Sequence, residues 1–290
     1  MKVMILGLGK TGTTALLYKV AGGLPNCLAF SGGKPGKYVG DYKHAVYKHT
    51  YSERKGKTFD LFRQHIADER YDRMIWIARD PRDAAVSEML FRWHRGYWGR
   101  KKQYQAHLDL VLKKEKDPTS VPFHVICRYA GRAEKWPITT QEVVEIERLR
   151  YARMAEFVES LGGEWFLFKY EDMISGKYVE LNQYLGFEVE KDGKVPEAYG
   201  KVVRKQASGD WRHWFTEEDV EAFKSAYLPY MNIIGYDRND WALNSNPVIE
   251  PQYSSVYMQS LPKRVFKDTV LRYKDRIVQR LLGKAARGDD

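Results

Sequence analysis

The chain has 290 residues, 43% hydrophobic and 30% charged, with 48 Lys and Arg against 38 Asp and Glu for a net charge of +10. This composition excludes a collagen-like or extensively disordered protein, and no apolar run approaches the roughly 18 residues that would span a bilayer. Positive charge in excess points to an anionic partner or to a basic surface.

The first predicted strand, Val3 to Leu8, runs directly into Gly7, Gly9 and Gly12, and the helix pattern restarts at Thr13 and continues to about Val20. Met1-Lys2 ahead of that strand leaves no space for a signal peptide. Cys27 and Cys127 sit in no metal-binding spacing and read as thiols of a reducing cytoplasm. Residues 22–43, rich in Gly, Lys and Tyr, read as a long surface loop. A short strand is expected at His44 to His49, an amphipathic helix at about Thr58 to Glu69, and a doubly buried strand at Met74 to Ala78. That strand stops at Arg79-Asp80-Pro81, where Asp80 suits the N-cap and Pro81 the first turn of the following helix.

Residues 92–136 mix cations with Trp and Tyr around an apolar cluster at Leu108 to Leu112 and read as an inserted cap. A long helix over about Thr140 to Leu161 ends at Gly162-Gly163, and a strand follows from Trp165 to Tyr170. An irregular basic stretch, 186–214, precedes a helix that opens at Thr216 and is expected to stop at Leu228, before Pro229. A linker after Trp241 and a basic amphipathic helix over about Lys263 to Leu282 close the chain. The expected fold class is α/β: a P-loop-like parallel β-sheet flanked by helices, in a domain spanning 1–240, with a helical or loop cap at 92–136 and a linker and C-terminal helix in 241–290. In such sheets ligands bind beyond the carboxyl ends of the strands, where the glycine loop, His49, Arg79 and Tyr170 should gather.

The loop at 7–14 is built for an anion. Its backbone N–H groups converge at a helix N-terminus, Lys10 adds a charge, and Thr11, Thr13 and Thr14 add hydroxyls. Gly7-x-Gly9-x-x-Gly12 matches the dinucleotide fingerprint, yet residues 28–36 carry no acid for a ribose. With Gly9-Lys10-Thr11 as the end of a Walker A motif, the required first glycine is Met4.

Lys10-Thr11-Gly12-Thr13-Thr14 resembles the phosphosulfate loop of the cytosolic-type sulfotransferases, which use 3′-phosphoadenosine 5′-phosphosulfate (PAPS). Three more segments are similar to that family in the same order: Arg79-Asp80-Pro81-Arg82-Asp83 with Ser87, Tyr170-Glu171-Asp172-Met173, and Arg204-Lys205-Gln206-Ala207-Ser208-Gly209-Asp210-Trp211. Ala15 and Gln206 depart from it, standing where the family has Trp and Gly. The resemblance implies that Gly9, Lys10, Thr11, Gly12, Thr13 and Thr14 hold the 5′-phosphosulfate. Arg79, Ser87, Arg204, Lys205 and Gln206 take the 3′-phosphate side, and Tyr170 takes the adenine side. It implies sulfuryl transfer to a small-molecule, lipid or glycan acceptor, with no metal and no nucleic-acid partner. Lys10 is the expected catalytic cation and His49, after Lys48, the expected general base, with His44, His94 and an acidic residue as alternatives. Two other readings of the chain are a nucleotide kinase or other P-loop phosphotransferase, and a basic protein that binds nucleic acid or a membrane surface.

Overall fold

The computed structural model describes residues 1–31, 43–51, 70–94, 99–130, 136–193, 195–196 and 204–262. The helices expected at 58–69 and 263–282 lie outside these residues. Among the described residues five strands are formed, β1 (Lys2–Leu8), β2 (Cys27–Ser31), β3 (His44–Tyr51), β4 (Arg73–Ala78) and β5 (Trp165–Lys169), and they make one parallel sheet in the order β2-β3-β1-β4-β5. The expected class, a parallel sheet flanked by helices, is what the chain adopts.

β1 is central because it is apolar on both faces. Val3 and Ile5 point to one helix layer and Leu6 and Leu8 to the other, and all four are buried. The first layer is the helix Thr13–Gly22 with the short helix Val179–Leu185. The second comprises Pro81–Phe91, Lys101–Lys116, Phe123–Tyr129, Thr140–Glu159 and Glu217–Ile234. In register, Leu6 lies beside His49 and Trp76, so His49 shares the face of Leu6. Chain order steps outward from β1 to β2, back to β3, then across to β4. The carboxyl end of β1 is therefore the point at which the winding reverses.

Two expectations are corrected. Residues 22–43 are not loop throughout, since Cys27–Ser31 pairs with β3 as an edge strand. Its five residues are all half-buried, so it carries no continuous apolar signal. The helix from Glu217 also does not stop before Pro229 but runs through it to Ile234. Tyr230, Met231 and Ile234 lie in the core beyond the proline, and ring packing of Tyr151 on Tyr227 and Tyr230, with centroids 5.0 and 5.2 Å apart, holds the last turns in place. The residues of the expected cap at 92–136 include two helices, Lys101–Lys116 and Phe123–Tyr129, whose Tyr104, Leu108, Val111, Phe123 and Ile126 join the core under the second helix layer.

The helix after β4 is capped as its sequence suggests, with the Asp80 side chain accepting from the Arg82 N–H at 2.9 Å. A second carboxylate organises two helices at once. Fully buried Asp219 accepts from the backbone N–H groups of Thr216 (2.8 Å), Phe123 (2.7 Å) and His124 (2.8 Å), and from His124 Nδ1 (2.8 Å). Removing an acceptor shared by several buried donors leaves them all desolvated and unpaired. Asp219→Ala is expected to lower the unfolding free energy by about 3 kcal/mol, read by urea denaturation of the two proteins side by side.

Candidate functional site

The carboxyl ends of β1, β3, β4 and β5 open onto a cavity of about 1130 Å³ whose wall includes Leu8, Thr50, Arg79 and Tyr170. The turn after β1 bends sharply inside it. Lys10 holds a left-handed backbone (φ 70°) and so does Gly12 (φ 89°), which lets the chain curl before the helix begins at Thr13. Gly12 also has no space for a side chain, because a Cβ there would lie 2.6 Å from the Tyr170 ring. Thr11 turns inward and its hydroxyl donates to Leu8 O at 2.8 Å, so that side chain closes the loop and does not line the cavity. Gly9, Lys10, Gly12, Thr13 and Thr14 do line it.

Arg79 joins this turn to a distant loop. It is 5% exposed, donates to Lys10 O at 3.0 Å and to Ala207 O at 3.2 Å, and its guanidinium lies 4.3 Å from the centre of the Tyr170 ring. Asp80 is engaged by Arg82 at 2.6 Å, and Arg82 in turn lies between Trp211 and Trp241, 4.0 and 4.7 Å from their ring centres. Asp83, buried in the same helical turn, accepts from the N–H groups of Gly209 (2.6 Å) and Trp211 (2.9 Å). The first turn after β4 therefore fixes the 204–211 loop over the cavity. Arg204, Lys205, Gln206 and Ser87 all line the wall, as does Ala15 together with Met173, Ile174 and Tyr178. Gln206 is held at φ 54°, the left-handed backbone that glycine adopts without cost.

The strand-end residues sort by alternation. Successive side chains of a strand point to opposite faces, and Lys48 and Thr50 line the cavity while His49 does not. His49 is 6% exposed on the face of Leu6. The structure thus brings together the glycine turn, Arg79, Ser87, Tyr170, Arg204, Lys205 and Gln206, and leaves His49 outside that set. Lys48, whose Nζ donates to Thr14 Oγ1 at 2.8 Å, is the residue that sequence reasoning passed over. Counting by two from Val46, which lies in the core, would have found it. Phe91, one turn after Ser87 on the same helix face, is a second, and its ring centre lies 3.9 Å from Lys10 Nζ. His94 stacks on that ring at 3.8 Å, and nearby Glu88 pairs with Arg92 and Arg150, both at 2.6 Å.

Electrostatics give the cavity its preference. Burial, with Arg79 and Arg204 adding to it, lowers the Lys10 pKa to about 7, and burial lowers that of Lys48 to about 8. The buried Nε–H groups of Arg79 and Arg204 have no hydrogen-bond partner. Five cations on one wall, two of them lysines depressed by burial, fit a multiply charged anion.

The fold and the cavity together define an α/β protein with a cation-lined cavity at the switch point of a parallel sheet. Residues 42–235 match the sulfotransferase domain family, which is more than half of the chain, and the chain belongs to that family. Among solved structures, the crystal structure of mouse sulfotransferase SULT7A1 complexed with PAP is similar, with a TM-score of 0.50 and 14% identity over 80% of this chain and 84% of that one. No curated protein matches the sequence.

Two of the left-handed positions, Gln206 and Gly12, make opposite predictions. Gln206→Gly is expected to leave the melting temperature unchanged or raised, because relief of a strained side chain offsets the added chain entropy. Gly12→Ala combines backbone strain with a steric clash and is expected to cost about 2 kcal/mol or more. Differential scanning calorimetry of both variants reads the contrast.

Proposed function

We propose that the protein transfers the sulfuryl group of PAPS to a hydroxyl or amine of a small acceptor, leaving adenosine 3′,5′-bisphosphate. The observation that carries this reading is the convergence of Lys10, Lys48, Arg79, Arg204 and Lys205 on one cavity wall at the sheet's switch point. PAPS presents two separate anionic ends, and the chain supplies two separate sets of donors. The glycine turn with Lys10 and Thr13 serves the 5′-phosphosulfate. Arg79, Ser87, Arg204, Lys205 and Gln206 serve the 3′-phosphate, and Tyr170 serves the adenine side.

Sulfuryl transfer is an in-line displacement in which charge grows on the bridging and equatorial oxygens, so fixed cations lower its barrier most. Lys10 takes that role, backed by Lys48. His49 was the expected base, but its place on the opposite face of β3 leaves Lys48 as the strand residue beside the reacting groups. A lysine whose pKa has been brought down to about 8 suits both charge stabilisation and proton transfer near neutral pH. The acceptor end is formed by Phe91, His94, Ile146 and the ion-paired Glu88, Arg92 and Arg150, which suits a polar acceptor such as a glycan as readily as a lipid alcohol.

No helix among the described residues is long and apolar enough to cross a membrane. A cytoplasmic location suits the two free thiols, Cys27 and Cys127.

Adenosine 3′,5′-bisphosphate is expected to raise the melting temperature by mass action, with a much smaller shift from ADP or NAD. Equal shifts from all three would overturn the reading. In a labelled-PAPS assay, Lys10→Ala is expected to lower turnover by about a hundredfold or more, the scale of removing one transition-state donor. Lys48→Ala should lower it further than His49→Ala; loss of all turnover in His49→Ala alone would return the base to that residue. Binding should also take up protons. A dianion beside Lys10 and Lys48 raises pKa values that start at about 7 and about 8, so affinity falls as pH rises above 7. Titration calorimetry at pH 8 in two buffers of different ionisation enthalpy measures that uptake, which Lys10→Met should reduce.

A further inference from the structure

The segment that follows Trp241 lies beyond the matched family domain, yet it is built onto the site. It is pinned at its start, where the Asn244 N–H donates to Arg212 O at 3.1 Å and the Val248 N–H to His213 Nδ1 at 2.9 Å. It is pinned again at its far end. There Glu115, on the helix Lys101–Lys116, accepts from the Ser255 N–H at 2.7 Å and its hydroxyl at 3.0 Å, and Met258 and Leu261 are fully buried in the core. Between these anchors the chain passes the phosphate-side loop. Glu250 pairs with Lys205 at 2.9 Å, Tyr253 O accepts from Arg204 Nη1 at 3.2 Å, and Lys205 Nζ lies 5.5 Å from the Tyr253 ring centre.

Arg204 and Lys205 also share Asp210, at 2.8 and 3.5 Å. Two long cationic side chains next to each other repel and would otherwise sample many rotamers, so holding them at the cavity wall needs acceptors on more than one side. Asp210 supplies one side from within the loop. The strap supplies the other, from a part of the chain that touches no reacting group.

We propose that residues 244–262 are a positioning strap for the 3′-phosphate site, with Glu250 and the Tyr253 carbonyl holding Lys205 and Arg204 in their binding geometry. This rests on the reading of Arg204 and Lys205 as ligands of the 3′-phosphate. Positioning by the strap should matter only to ligands that carry that phosphate.

Glu250 is 43% exposed at its side chain, so Glu250→Gln removes the charge without opening the core. Titration calorimetry of the full chain with adenosine 3′,5′-bisphosphate and with AMP separates the cases. Glu250→Gln is expected to weaken the bisphosphate by about threefold to fivefold, the worth of a partly exposed ion pair, and to leave AMP unchanged. Equal weakening of both ligands would mean a merely structural role. Unchanged or tighter bisphosphate binding would mean that Glu250 competes with the phosphate for Lys205. Either result overturns the strap. A wild-type protein that binds the two nucleotides equally would overturn the 3′-phosphate reading itself, and the strap with it.

Discussion

Arg79 is the residue on which the geometry of the site depends. One guanidinium donates to the carbonyl of Lys10 in the turn after β1 and to the carbonyl of Ala207, more than a hundred residues later, while lying on the Tyr170 ring at the end of β5. Three chain segments that carry binding groups are thereby referred to one side chain. Its planar, forked donor set makes this possible, since a lysine there could neither bridge two carbonyls in fixed directions nor stack on the ring. Because its hydrogen bonds go to neutral carbonyls, its charge is left over for the cavity.

That residual charge sets the energetic character of the site. Lys10, Lys48, Arg79, Arg204 and Lys205 face one space, and the depressed pKa values of Lys10 and Lys48 register the cost of holding them there. Nearby carboxylates are committed elsewhere: Asp80 to Arg82, Asp83 to the loop backbone, Glu88 to Arg92 and Arg150. The fold thus commits these carboxylates to its framework while five cations line one cavity, two of them, Arg204 and Lys205, held in place by Asp210 and Glu250. Preorganised charge of this kind needs little rearrangement when negative charge develops during a reaction.

Much of this was legible in the sequence because the signals were local. The apolar run ending at Gly7 and the break at Arg79-Asp80-Pro81 each declare a strand or a helix boundary by their own chemistry. What stayed hidden depends on distant parts of the chain. β2 is defined by its pairing with β3 and not by its own half-buried residues. The continuation past Pro229 is set by packing of Tyr230 and Met231, which outweighs a local breaker. Arg204 and Lys205 could be recognised, but their anchoring by Glu250 and Tyr253 could not, because no motif links positions so far apart. Lys48 could be reached by alternation from Val46, but only once Val46 is taken to face the core.

The facing of β3 has a consequence for how this chain can vary. Lys48, His49 and Thr50 are consecutive, and the pleat alone decides which of them meets the cavity. Deleting one residue upstream in the strand would turn the lysine to the other face and put the imidazole in its place, exchanging a long primary amine for a short aromatic ring. Length changes in β3 are therefore chemical mutations as well as structural ones. Variation among relatives of this chain should accordingly be conservative in strand length there, even where the side chains differ.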